Sequence, residues 1–297
     1  MSLPDCPSPI AIFGPGLLGG SLALAIRKNF PSAEVRIWAR REEAAADVRA
    51  RGIGTLATTS IVEAAIGARL ILLATPIESM PDQARQIAAC AVAPGCIVTD
   101  VGSVKGTVVS ALDEAFAGSG ARFVGSHPMA GSEKAGIEAA REDLFERANC
   151  IVTPSSVTDA AALEEVKSFW LALGCRVLVM SPQEHDWKAA RISHLPHVMA
   201  AVTTLTALRA NPDALECAGN GFRDSTRVAG GDPGLWKGIL LANQVEIAAA
   251  LREALGTTRE LLEIVEGMDE EKLRLFLAEA KNLRDRFTVG ASAYGND

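Results

Sequence analysis

The sequence predicts an α/β fold that gives way to an all-helical region, and three observations carry that reading. Through residues 1–180, short apolar runs alternate with amphipathic stretches, the pattern of βαβ units around a largely parallel sheet. A glycine-spaced turn, Gly14-Pro15-Gly16-Leu17-Leu18-Gly19, joins the first apolar run to the first amphipathic stretch. After Ser181 no convincing strand recurs. The boundary is placed at 180, with residues 1–180 as one domain and 181–297 as the other.

The strands are expected at Ile10–Phe13, Val35–Ala39, Leu70–Ala74, Ile97–Asp100, Phe123–Gly125, Cys150–Thr153 and Arg176–Met180. Helical spacing fills most of the gaps, at Leu17–Lys28, Arg41–Arg51, Glu78–Ala89, Val104–Ala115 and Asp159–Ala172. Ser181-Pro182-Gln183-Glu184 opens the second domain as a capping box with proline at the first helical position. Gly219–Pro233 reads as a polar, glycine-flanked bend, and Trp236–Glu266 as one long helix with Leu241, Ala248, Leu251, Leu255, Leu262 and Val265 near one face. Asp269–Arg286 reads as another helix, and Val289–Asp297 as a frayed tail. The long apolar stripes exceed what this domain can bury alone, which predicts a homodimer, against ordinary packing within the domain.

The glycine turn marks a Rossmann-type dinucleotide-binding domain. Gly14 permits the tight turn, Gly16 lets backbone approach a pyrophosphate, and Gly19 lets helix and strand close on each other. The pyrophosphate then rests on the helix N-terminus, where Leu17 and Leu18 follow. The motif alone is weak, but here it has the strand before and the helix after that it requires. Thr75-Pro76, after the third of the expected strands, should also lie against the cofactor. The second strand ends Trp38-Ala39-Arg40-Arg41, without the acidic residue that commonly grips the ribose hydroxyls of NAD. Arg40 and Arg41 suit a 2′-phosphate, which favours NADP over NAD. The alternative is that they open a solvated helix face beside Glu42 and Glu43.

The net charge of −7 disfavours nucleic acid and anionic membranes as partners, and the single tyrosine argues against a surface that stacks on bases or carbohydrate. No apolar run approaches the roughly 18 residues of a membrane span, and Met1–Pro9 lacks the pattern of a signal peptide. Six cysteines without a CxxC pair read mostly as small core residues of a reducing compartment, hence a cytoplasmic protein. His194 and His197 lack a companion carboxylate motif of the HExxH type, so no metal site is expected.

Ligands of such sheets bind beyond the carboxyl ends of the strands. There lie Asp100-Val101-Gly102-Ser103-Val104-Lys105 and Gly125-Ser126-His127-Pro128-Met129-Ala130-Gly131-Ser132-Glu133, the latter placing His127 in a loop after a strand. Together with Ile192-Ser193-His194-Leu195-Pro196-His197 and Phe222-Arg223-Asp224-Ser225-Thr226-Arg227, these segments resemble the prephenate/arogenate dehydrogenases of tyrosine biosynthesis. The resemblance runs from Ile10 to about Phe287. It implies a helical dimerisation domain and an active site between the domains. It further implies NAD(P)-dependent oxidative decarboxylation of prephenate, or of arogenate, a small-molecule substrate. His127 matches the family's catalytic histidine and Ser103 its partner at the substrate hydroxyl. Ser193, His197 and Ser126 match substrate contacts, and Arg227 the arginine that binds a carboxylate. Other reductases of the same plan, such as β-hydroxyacid dehydrogenases or imine reductases, share the glycine turn but do not explain a histidine in GSHPMAGSE. A non-catalytic redox sensor would need none of these side chains.

Overall fold

A computed structural model describes residues 7–131, 134 and 136–292, with side chains through 286. Its strands are β1 (Ile10–Phe13), β2 (Val35–Trp38), β3 (Leu56–Thr58), β4 (Leu70–Leu73), β5 (Ile97–Asp100), β6 (Arg122–Pro128), β7 (Asn149–Thr153) and β8 (Arg176–Val179). They form one sheet in the order β3-β2-β1-β4-β5-β6-β7-β8. Every neighbouring pair is parallel except β6 with β7. β1, β4 and β5 are buried along their whole length. That explains why β1 and β4 read as unbroken apolar runs rather than alternating ones.

Six helices sandwich the sheet. α1 (Leu17–Asn29), α2 (Glu42–Arg51) and α6 (Ala160–Ala172) pack Leu22, Ile26, Val48, Val166 and Phe169 on one face. α3 (Ile61–Ala65), α4 (Met80–Ala88) and α5 (Gly106–Phe116) pack Ala64, Ile87, Val108 and Leu112 on the other. Alternate residues of β1 divide between the two cores, Ile10 and Ile12 in the first, Ala11 and Phe13 in the second. The strand order reverses between β1 and β4, and that reversal opens a crevice at their carboxyl ends.

The helical region holds α7 (Pro182–Ala189), a π-turn over Ala190–His194, α8 (Leu195–Leu208), α9 (Asn220–Thr226), α10 (Pro233–Ala242), α11 (Gln244–Glu266) and α12 (Glu270–Ser292). Ser181 caps α7 as expected, its hydroxyl accepting the Glu184 N–H. By its contacts the chain divides into two compact units, Met1–Gln244 and Val245–Asp297. In the second, Leu255, Leu262 and Val265 of α11 and Leu275, Leu277 and Leu283 of α12 are exposed. No helix of the described residues is long and apolar enough to cross a membrane.

Several expectations are corrected. β3 was not expected; it is a three-residue strand with Leu56 exposed, too short and too polar at its flanks to show periodicity. The helix expected from Val104 starts at Gly106, because the Asp186 carboxylate takes the Lys105 and Gly106 N–H groups at 2.7 Å each. The single helix expected over Trp236–Glu266 is broken at Asn243, which leaves helical geometry (φ −110°, ψ 32°) and buries its side chain. The bend expected over Gly219–Pro233 is itself mostly helical, α9 followed by a 3-10 turn over Arg227–Gly230. The helix of the expected tail runs on to Ser292, and 293–297 lie outside the described residues, as do Cys6, Ser132 and Glu133.

Candidate active site

The crevice at β1 and β4 is a cleft of about 410 Å³ lined by Gly14, Gly16, Arg40, Arg41, Thr75 and Pro76, among others. Its shape comes from missing side chains. Gly14 has φ +103°, and a Cβ there would meet the Ala74 carbonyl oxygen at 2.7 Å. A Cβ on Gly19 would lie 1.8 Å from the Gly14 carbonyl oxygen, so α1 can approach β1 only without one. A Cβ on Gly16 would meet nothing within 4 Å, so the space beside this backbone is open to a ligand. Gly16 also stands at the N-cap of α1 with no side chain capping it. The first N–H groups of α1 and the helix dipole therefore favour an anion there. This geometry fits a dinucleotide pyrophosphate. Leu17 and Leu18 pack against the core, so what they offer is main chain.

Ala39, expected to mark the cofactor-selecting position, is fully buried and faces the core. Arg40 and Arg41 are the residues that line the cleft, together with Trp38 and Asp47. The neighbouring carboxylate Glu42 is bonded to Arg49. Thr75 donates its hydroxyl to the Gln83 side chain at 2.6 Å, which fixes the cleft wall after β4.

A second cluster lies where β5 and β6 end against α7, α8 and α10. All four histidines of the chain are buried. His127 is on β6 itself, paired with Ile151 of β7, and not in a following loop as expected. Antiparallel pairing carries the strand past Gly125 and fixes the direction of the ring. Its Nδ1 lies 2.8 Å from His185 Nε2, and His185 Nδ1 lies 2.8 Å from Asp186 Oδ1. Asn243 donates to the Asp186 carbonyl oxygen at 2.9 Å and stands 3.3 Å from His194 Nδ1. His197 stacks on Trp236 with ring centroids 3.3 Å apart, and His194 meets the same indole edge-on at 6.2 Å.

Burial disfavours the charged form of all four rings, while the Asp186 carboxylate opposes that shift at His185 and His194. Burial holds the His127 pKa well below the ordinary 6.5, and neighbouring His185, Lys105 and His194 push the same way. Burial also lowers His185 and His197, and takes His194 down to about 4. Lys105 is wholly buried, bonded to Asp100 and to the Ser126 carbonyl oxygen at 2.8 Å. Burial lowers its pKa and Asp100 opposes that shift.

The expected site residues separate into those the fold gathers and one it removes. Ser103 is half-buried in the turn after β5, with its main chain against His194. Ser193 is half-buried in the π-turn, next to His194. Arg227 is exposed at the start of the 3-10 turn that packs against α8, the helix of His197. Ser126, expected to touch substrate, is instead wholly enclosed. Its hydroxyl bonds the Asp100 carbonyl oxygen at 2.6 Å, Thr99 Oγ1 at 2.8 Å and the Trp170 indole N–H at 3.0 Å. Sequence reasoning missed His185, Asp186, Trp236 and Asn243. The one signal available was Asn243 interrupting an otherwise apolar helical stripe.

The nucleotide-binding domain of prephenate dehydrogenases matches residues 22–179, and their dimerization domain matches residues 181–279. The prephenate dehydrogenase of Bacillus subtilis is 36% identical over 93% of this chain and 75% of its own length. The Aquifex aeolicus prephenate dehydrogenase, crystallised with hydroxyphenyl propionate and NAD+, superposes with a TM-score of 0.87 at 31% identity, covering 94% of this chain and 97% of that one. Synechocystis arogenate dehydrogenase superposes at 0.79 with 28% identity, over 94% of this chain and 99% of that one. Matched in both domains, in order and along nearly its whole length, the chain belongs to the prephenate dehydrogenase family.

Proposed function

We propose that this protein is a cytoplasmic homodimer that converts prephenate to 4-hydroxyphenylpyruvate by NADP-linked oxidative decarboxylation. The reading takes residues 1–180 as the dinucleotide-binding domain and 181–297 as the helical dimerisation and substrate domain. The observation that carries it is His127, a buried histidine held neutral with Nδ1 committed inside the protein. Nε2 is then the nitrogen offered to substrate. A bound nicotinamide would supply the acceptor for the hydride that leaves the carbinol carbon. Loss of that hydride makes the hydroxyl strongly acidic, and His127 Nε2 receives its proton, so the interaction strengthens in the transition state. The ring carboxylate leaves as CO2, and its bonding pair completes the aromatic ring. Ser103 would share the same hydroxyl, Ser193 and His197 would position the ring, and Arg227 would hold a carboxylate in a bidentate grip.

Gly14, Gly16, Gly19, Thr75 and Pro76 would hold the cofactor through main chain and the N-terminus of α1. Arg40 and Arg41 in the cleft support NADP over NAD, since a guanidinium matches a 2′-phosphate. The exposed apolar residues of α11 and α12 support a homodimer, because faces of this kind mark an interface. Incubation with prephenate and either cofactor, read at the absorbance of reduced nicotinamide, tests the reading. Arogenate belongs in the same assay, because a Zymomonas mobilis relative, 31% identical over 93% of this chain, is a cyclohexadienyl dehydrogenase. Reduction faster with arogenate transfers the reading to that substrate, and none with either removes it.

A further inference from the structure

We propose that His185 and Asp186 are positioning residues that set the tautomer of His127 and so make Nε2 its basic nitrogen. The inference rests on the function proposed above, because only a basic Nε2 can take the substrate proton. The logic begins at Asp186. Its two carboxylate oxygens accept the Lys105 and Gly106 N–H groups at the start of α5, at 2.7 Å each. Those bonds pin the carboxylate, and an ionised carboxylate can only accept. The contact of 2.8 Å between Asp186 Oδ1 and His185 Nδ1 therefore places the His185 proton on Nδ1. A neutral imidazole carries one N–H, so His185 Nε2 has only a lone pair to offer.

The next contact is then decided as well. His127 Nδ1 lies 2.8 Å from that lone pair, and it must be the donor. Neutral His127 with its proton on Nδ1 leaves Nε2 bare, which is the form a general base requires. Reversal of one link reverses the other: a proton on His185 Nε2 would make His127 Nδ1 an acceptor and put the proton on Nε2. Burial favours the neutral rings that this logic needs. The device is anchored on the helical side as well, where the Asn243 amide holds the Asp186 carbonyl oxygen at 2.9 Å. The break between α10 and α11 thus supports the residue that fixes the tautomer.

The test compares His185→Leu with His185→Gln and pairs the kinetics with a nitrogen NMR spectrum. Leucine removes the acceptor. Glutamine can turn its amide nitrogen toward Asp186 and its oxygen toward His127. Expected is a kcat for His185→Leu lower by roughly 10²–10⁴, the range for losing a positioned acid–base group, with KM changed far less. His185→Gln should recover a substantial part of kcat at equal thermal stability, which a merely structural role would not give. In the unliganded wild-type protein, long-range ¹H–¹⁵N correlation should place the proton of both His127 and His185 on Nδ1. A proton on His127 Nε2, near-native kcat in folded His185→Leu, or no gain in folded His185→Gln overturns the proposal. Wild-type protein inactive on prephenate and arogenate removes the proposed function instead, and the NMR result still decides the tautomer.

Discussion

The glycine-lined cleft and the histidine chamber are built in opposite ways. The cleft is shaped by what is missing: Gly14, Gly16 and Gly19 clear space so that main chain and a helix N-terminus meet an anion. The chamber is shaped by what is present: His127 from β6, His185 and Asp186 from α7, His194 from the π-turn and Asn243 from the α10–α11 junction hold one another by hydrogen bonds. Backbone recognition tolerates variation in neighbouring side chains. A buried polar network does not, because each unpaired member is left without water to satisfy it.

That contrast can be broken at either end. The largest effect belongs to the chamber. His127→Asn is expected to lower kcat by roughly 10²–10⁴ while cofactor affinity, measured by fluorescence titration, stays near native. A comparable loss of cofactor affinity would mean that the two regions are not separable.

Within the cleft, two glycines should respond differently. Gly19→Ala places a Cβ against the Gly14 carbonyl oxygen, and overpacking of that kind costs about 1–3 kcal/mol of stability. Gly16→Ala meets no protein atom within 4 Å. It should leave the melting temperature nearly unchanged and weaken the cofactor instead. Equal melting temperatures for the two variants would contradict this account of the turn.

Arg227→Ala sharpens the comparison on the substrate side. Truncating one partner of a substrate charge pair should weaken prephenate binding by about 2 kcal/mol, read as a roughly thirtyfold rise in KM, with Arg227→Lys recovering only part. An unchanged KM would remove the arginine from the substrate site. The smallest effect is expected at Arg40. Arg40→Asp should shift the ratio of catalytic efficiencies toward NAD by about 1.5 kcal/mol, the lower range for a hydrogen bond to a charged group. A wild-type preference for NAD would reduce Arg40 and Arg41 to helix-surface charges.

The same contrast explains what could be read in the sequence. Glycine spacing is local, so the turn of Gly14, Gly16 and Gly19 was legible, as were seven of the eight strands, each of which carries a short apolar run. The pairing of His127 with His185 spans 58 residues, and that of Asn243 with Asp186 spans 57. Periodicity carries no signal for such contacts. It misled at Asn243, where a tertiary bond overrides a continuous helical stripe, and at Val104, where Asp186 captures the first N–H groups. Ser126 was misplaced because its neighbours in sequence are catalytic candidates, while the pleat turns its hydroxyl into the core beside Trp170.

The central claim is that burial makes His127 a neutral base across the physiological range. The pH profile of kcat/KM for prephenate tests it most directly, since that quantity reports ionisations of the free enzyme. The depressed pKa of His127 means the competent, neutral form persists as pH falls through 6.5, and activity is lost only when the folded-state pKa is passed. The account predicts a level profile from pH 8 down to about 6.5, the ordinary imidazole value, with its acid limb below it. An acid limb centred at or above that value, abolished in His127→Asn, would show that the chamber does not hold the ring neutral.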